Sequence, residues 1–331
     1  MKKILTLILV VVLTFSVVGC SETQETIEDM VEEIVEMEAF DTTPTIEKTV
    51  LYDDNNIKIT ANELTYGNSS ASLNVTFENH TEKELNFLSA TNSYCVNSVN
   101  GYSTGEGYVN EDIAAGQSLT RDIDFDFYTL NTFGITKIAD IVIGFDIQDA
   151  DNNSIYTGAL QLKTSIADSY DYSINTYRKA INSGAYESKF ECKLLSFKDD
   201  VLYDNNGIRI VSIASLMNKD GEPALFIEIE NDSTEKATTT IKEVYVNGRS
   251  VYDSTWSRDF VSSKKTLIES INLSNLVKKY EGNFEDVSSI SEIKFTFAIK
   301  SESSPGFWYE YDHTQEITIE LPDIEIPQKE D

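Results

Sequence analysis

Apolar and polar residues alternate with period two in several short runs of this chain. Leu73, Val75 and Phe77 interleave with Asn74, Thr76 and Glu78. Leu225, Ile227 and Ile229 interleave with Phe226, Glu228 and Glu230, where Phe226 breaks the rule. Ile141, Ile143, Phe145 and Ile147 share one parity, as do Ile293, Phe295, Phe297 and Ile299. Such spacing predicts strands with one face on a core and the other in water. Helical signals are few. Tyr128 to Phe133, ahead of Gly134, and Ser274 to Tyr280, with a capping serine, predict one short helical patch in each half of the chain.

The strand pattern occurs twice. Val50-Leu51-Tyr52-Asp53 leads to Ile57-Lys58-Ile59, and 151 positions later Val201-Leu202-Tyr203-Asp204 leads to Ile208-Arg209-Ile210. Glu78-Asn79 recurs as Glu230-Asn231, and Asn100-Gly101 as Asn247-Gly248. The run from Ile138 to Ile147 returns as Ile290 to Ile299. The order is kept, and the period is too long for a solenoid unit, so the reading is a duplicated domain. Asn-Gly pairs tolerate positive φ, as type I′ hairpin turns require. Short strands, closely spaced turns and only 5 Pro predict an all-β fold, two tandem antiparallel β-sandwiches. The boundaries are residues 48–165 for repeat 1, 166–199 for a connector, 200–322 for repeat 2 and 323–331 for an acidic tail. The connector is rich in tyrosine (Tyr170, Tyr172, Tyr177, Tyr186) and long for a structureless link. It is expected to add a strand or hairpin that packs on a domain.

The N-terminus has a different pattern. Lys2 and Lys3 precede an apolar stretch, Ile4 to Val18, of signal-peptide length. It closes in Val17, Val18, Gly19 and Cys20, which resemble a bacterial lipobox. The resemblance implies removal of residues 1–19 and a covalent diacylglyceryl group on Cys20. Two acyl chains hold a protein on a bilayer where one does not. The expected location is extracytoplasmic, at the outer face of the cell membrane. Residues 20–47 then read as an acidic tether. Ile27, Met30, Val31 and Ile34 fit one helical stripe, which suits either a short amphipathic helix or an unstructured spacer, and Thr42-Thr43-Pro44-Thr45 ends any helix.

Taken together, the lipobox, the repeated Val-Leu-Tyr-Asp opening, the Glu-Asn turn and the Asn-Gly hairpin resemble Gram-positive bacterial surface lipoproteins with tandem Ig-like domains of uncharacterised function. The resemblance implies a folded module outside the membrane and carries over no catalytic residue. The Cys-Trp-Cys arrangement of antibody-type domains is absent.

Charge narrows the partners. Asp plus Glu number 56 against 26 Lys plus Arg, a net −30, which repels phosphate backbones and anionic headgroups. Nucleic acid is therefore not an expected partner, and the membrane is reached through the lipid alone. The only imidazoles, His80 and His313, fall in polar segments that read as solvated loops. No phosphate loop, nucleophile elbow or zinc-binding motif occurs. A non-catalytic protein without a cofactor is expected. Cys95 and Cys192 read as two separate reduced thiols, although export permits a disulfide.

Two binding chemistries remain. Asp53 to Asn56, Asp149 to Asn153 and Asp204 to Asn206 are oxygen-rich turns of the kind calcium accepts, with Asp149 and Asp151 the first choice, although Asx residues are also the usual turn formers. Trp256, Trp308 and Tyr309, with Tyr252, Phe307 and Tyr311, form an aromatic set in repeat 2 that suits stacking on sugars or gripping a peptide. The leading functional expectation is a structural, adhesive or protein-interaction module. The alternatives are a ligand-binding module for glycan, peptide or calcium, and an accessory subunit of an envelope complex.

Overall fold

The computed structural model describes residues 35–91, 94–250, 257–273, 289–305 and 310–325. Repeat 1 contains β1 (Thr49–Asp54), β2 (Ile57–Tyr66), β3 (Ser70–Asn79), β4 (Leu85–Ser89), β5 (Ser98–Val99), β6 (Tyr102–Ser103), β7 (Val109–Ile113) and β8 (Ser118–Asp126). After α1 (Phe127–Thr132) come β9 (Asp140–Ile143), β10 (Asp146–Asp149), β11 (Ser154–Tyr156) and β12 (Leu160–Lys163). One sheet runs β1-β2-β3-β8 and another β11-β10-β4-β7. They face each other across Phe77, whose ring lies 5.2 Å from Phe87 and 5.3 Å from Phe145. Leu73, Val75 and Phe77 are fully buried, as the alternation requires.

The second half repeats the plan. It holds β14 (Tyr203–Asn205), β15 (Ile208–Met217), β16 (Pro223–Asn231), β17 (Ala237–Val246), β18 (Arg249–Ser250), β19 (Ser257–Val261), β20 (Lys265–Asn272), β21 (Ser289–Ser301) and β22 (His313–Glu325). Leu225, Ile227, Ile229, Phe295 and Phe297 build a second apolar cluster. The all-β, antiparallel, sandwich-type architecture expected from the alternation is present. β22 runs on into Asp323–Glu325, so the start of the expected tail is strand.

The repeated motifs make duplicate bonds. The Asn79 side chain donates to the carbonyls of Lys83 and Ile113 and accepts from the Thr81 N–H. Asn231 donates to the carbonyls of Glu235 and Val261 and accepts from the Ser233 N–H. Asn100 donates to Lys137 O and accepts from Ala139 N and Asp140 N, while Asn247 donates to Ser289 O and accepts from Ser291 N and Glu292 N. Positive φ at Asn100 and Asn247 supports the hairpin reading. The side chain also ties the hairpin to the neighbouring strand, which turn chemistry alone did not predict.

The connector departs from expectation. It supplies a strand, β13 (Lys193–Lys198), paired with β15, but its first part is α2 (Thr176–Asn182) and α3 (Ala185–Phe190). Asn175 caps α2 by accepting from Arg178 N. Tyr170 and Tyr172 lie in loop and turn, not in an extended segment. Tyr177 and Tyr186 are fully buried in the first cluster. Gly134, with φ +67°, lets α2 close in: a Cβ there would sit 2.2 Å from the Thr176 carbonyl oxygen.

These helices cover the face of repeat 2 that alternation assigned to water. Phe226 and Ile268 pack against the first cluster, and Glu228 is fully buried beneath α2. β15 is apolar on both sides. Ile208, Ile210 and Ile213 enter the second cluster, whereas Ala214 and Leu216 enter the first. One nine-stranded sheet passes from repeat 1 to repeat 2 at a parallel bridge between Tyr102 of β6 and Thr266 of β20.

The tether also differs. Val35–Phe40 is not helical. Met37, Phe40 and Ile46 pack on the first cluster, and Phe40 stacks on Phe127 at 3.9 Å and 15°. Tyr66 donates to Pro44 O, and Thr45 exchanges bonds with Ser165. The chain is thus strapped to repeat 1 before residue 48. The helical stripe at Ile27 to Ile34, the lipobox residues Val17 to Cys20 and Ser274 to Tyr280 lie outside the described residues.

A cleft between the two repeats

A cavity of about 790 Å³ lies where the two repeats meet. Its first wall comes from repeat 1. In β11, Ile155 packs on the core, so period two turns Tyr156 outward. Tyr156 is 59% exposed, and its ring lies 5.0 Å from that of buried Tyr94. In β12, Leu162 faces the core and Gln161 the cleft. Gly144 allows the close packing behind this wall: a Cβ there would meet Val96 Cγ2 at 2.3 Å and Gly158 O at 2.5 Å. Burial, with the nearby charge of Glu302, pushes the Tyr94 hydroxyl up to about 12, so it stays protonated.

The second wall is built by the Asn231 clasp. Holding Ser233 and Glu235 in their turn sets the next residue, Lys236, against repeat 1. The Lys236 ammonium lies 5.1 Å from the ring centres of both Tyr94 and Phe260 and 3.3 Å from Glu302. Glu235 accepts from the N–H and hydroxyl of Ser303. Lys264, at φ +59°, turns the chain between β19 and β20 and leaves Ser262, Ser263 and Lys265 on the cleft. Among the described residues, Lys265 has no carboxylate within ion-pair distance of its ammonium. Asp146 stands directly across from Tyr156 in the β10–β11 pair; it is buried, and its Oδ1 has no hydrogen-bond partner. No imidazole lines the cleft, so its hydroxyls have no histidine base. An aromatic face beside hydroxyl, amide and ammonium groups is suited to holding a polar ligand.

Among the described residues, none of the earlier candidates lines this cleft. Trp256, Trp308 and Tyr309 are outside the described residues. Tyr311 is half-buried, with the Lys242 ammonium 4.5 Å from its ring centre. Asp149 and Asp151 sit at the β10–β11 turn, where Lys83 Nζ lies 2.8 Å and 3.5 Å from their carboxylates. Asp149 Oδ1 also accepts from Asp151 N, Asn153 N and Asn153 Nδ2. The Lys83 contact first, and then these turn donors, hold its carboxyl well below the usual range. The turn is therefore occupied by its own chain and a lysine. No group of three or more His, Cys, Asp or Glu side chains suited to a metal occurs among the described residues.

Cys95 and Cys192 are free thiols, and burial raises both. His80 is exposed beside Glu78. His313 is not a loop residue: it opens β22, half-buried, with Nδ1 2.9 Å from the Tyr203 hydroxyl. Among the described residues, no helix is long and apolar enough to cross a membrane.

No protein family matches the chain, and no curated protein does. Among solved structures, it is similar to the red sea bream transglutaminase at 6% identity and TM-score 0.19, over 81% of this chain and 31% of that one. The chain thus spans about a third of that enzyme. It is similar to a conserved domain protein from Bacillus anthracis at 12% identity and TM-score 0.18, over 83% of this chain and 92% of that one.

Proposed function

We propose that this chain is a non-catalytic, lipid-anchored extracytoplasmic module that uses the inter-repeat cleft as its adhesive face. The observation that carries the reading is the cleft itself, which brings together from both repeats an exposed ring, hydroxyls and an ammonium with no acidic partner among the described residues. The continuous sheet joins the two repeats, and the Arg178–Glu228 pair ties the connector to repeat 2, so the binding face is held in shape before any ligand arrives. The anchoring half of the proposal rests on Lys2, Lys3, the apolar run and Cys20.

Each half has its own test. Cys20→Ser is expected to move the protein from the membrane fraction to the medium; a variant that stays membrane-bound would remove the anchor. For the binding face, Ser263→Trp fills the cleft mouth. It is expected to abolish binding of the purified chain to isolated cell-wall sacculi, with the melting temperature unchanged. Retained binding would place the adhesive face elsewhere.

A further inference from the structure

We infer that the cleft takes an acidic glycan, with a sugar ring stacked on Tyr156 and a sugar carboxylate on Lys265. This rests on the cleft being the binding face and adds the class of ligand.

Tyr156 presents its ring to solvent while buried Tyr94 supports it from behind, so little freedom is lost when a flat apolar face docks there. A pyranose offers such a face through its C–H groups. Its hydroxyls can then meet Gln161, Thr234, Ser262 and Ser263 around the rim. These groups suit a ligand that is apolar on one side and hydroxylated at its edge.

The charge follows from which lysine is already engaged. Lys236 is 11% exposed, lies between two aromatic faces and pairs with Glu302. Glu235 is held by Ser303. Lys265 is the remaining cleft cation, and its ammonium has no acidic partner among the described residues. In a chain of net charge −30, a long polyanion is repelled at a distance, so an acidic ligand needs a local cation at its point of contact. A single carboxylate on a sugar meets that condition. Charge-assisted bonds of this kind are stronger than neutral ones.

Titration calorimetry on the full-length chain carrying Cys20→Ser tests the inference with three probes. These are a tetrasaccharide of alternating N-acetylglucosamine and N-acetylmuramic acid, its neutral counterpart chitotetraose, and hexaglutamate. The acidic tetrasaccharide is expected to bind about tenfold or more tightly than chitotetraose. Lys265→Met should erase that difference. Tyr156→Ala should weaken both sugars about tenfold, and Tyr156→Phe should restore them. Melting curves matching the parent would show that the variants fold. Equal affinity for the two tetrasaccharides overturns the acidic assignment. Hexaglutamate binding that depends on Lys265, with no sugar binding, overturns the glycan class. Sacculus binding that Ser263→Trp abolishes, with neither tetrasaccharide bound, also overturns the class but leaves the adhesive face standing. Sacculus binding indifferent to Ser263→Trp removes both.

Discussion

Nε of Arg178, on the connector helix α2, lies 2.6 Å from Oε2 of Glu228, on strand β16 of repeat 2. Glu228 is fully buried and also receives the Ser212 hydroxyl and the Asn175 side-chain amide. Arg178 reaches on to Asp199 and to the carbonyl of Val211. This network joins the connector to the outer face of the second repeat. A buried carboxylate stripped of its cation is costly, whereas replacing both partners by apolar groups is often neutral. Arg178→Met is expected to lower stability by about 3–5 kcal/mol. The double variant Arg178→Met, Glu228→Leu should recover most of that. Urea denaturation of the single and double variants checks it; a double variant as unstable as the single would mean that the network acts through more than its charge.

The Asn79 and Asn231 clasps make an internal control. Each is buried and donates to a distant carbonyl, Ile113 for Asn79 and Val261 for Asn231, and to a nearer one, Lys83 or Glu235, that the Thr81 or Ser233 hydroxyl also reaches. Asn79→Ala and Asn231→Ala are each expected to cost about 2–3 kcal/mol, the penalty of leaving buried groups unpaired. Only Asn231→Ala should also weaken sacculus binding, because its turn positions Glu235 and Lys236 at the cleft. Paired denaturation and binding measurements separate the two effects.

Phe40 pins the strap ahead of repeat 1 by stacking on Phe127. Phe40→Ala is expected to cost about 1–2 kcal/mol, less than a full core truncation because Phe40 is only half-buried. The more sensitive readout is limited proteolysis, where cleavage between residues 35 and 47 should speed up. An unchanged cleavage rate would mean that the hydrogen bonds at Pro44 and Thr45 suffice.

The Asp149 turn carries a pH signature. Its folded carboxyl is held below the usual range, so the turn contributes stability above the unfolded-state value, near 4. That contribution is lost as pH falls through the folded-state value. Asp149→Asn should therefore melt below the parent at neutral pH, with the gap closing toward strong acid. Its partner Lys83 is exposed, so the gap should shrink in high salt. Millimolar calcium should leave the parent's melting temperature unchanged, because Lys83 and the turn's own N–H groups already occupy the carboxylate. A calcium-dependent rise would instead support the metal reading.

Much of the molecule can be read from local pattern. The alternation at Leu73 to Phe77 and at Ile293 to Phe297 identified the buried faces because period two admits one inward set. The recurrence of Asn79 as Asn231 and of Asn100 as Asn247 marked the duplicated turns. Their clasp role was not visible, since it depends on backbone carbonyls and N–H groups 30 to 45 residues away. The connector helices were missed, although Asn175 followed by Thr176-Tyr177-Arg178 held a capping signal.

The sequence by itself determined strand character, the recurrence of motifs and turn chemistry, because these depend on residues that are neighbours along the chain. What covers a strand's second face was decided only in three dimensions. Phe226 and Glu228 read as an exception and a solvated acid until α2 and repeat 1 close over them. The run Val211 to Leu216, uncharged and buried throughout, was the one local trace of that closure. The cleft shows the same limit more strongly. Tyr94, Tyr156, Lys236 and Lys265 lie on four separate segments, and none stands out in its own surroundings. They line one cleft because one sheet carries both repeats, a long-range arrangement that no local pattern encodes.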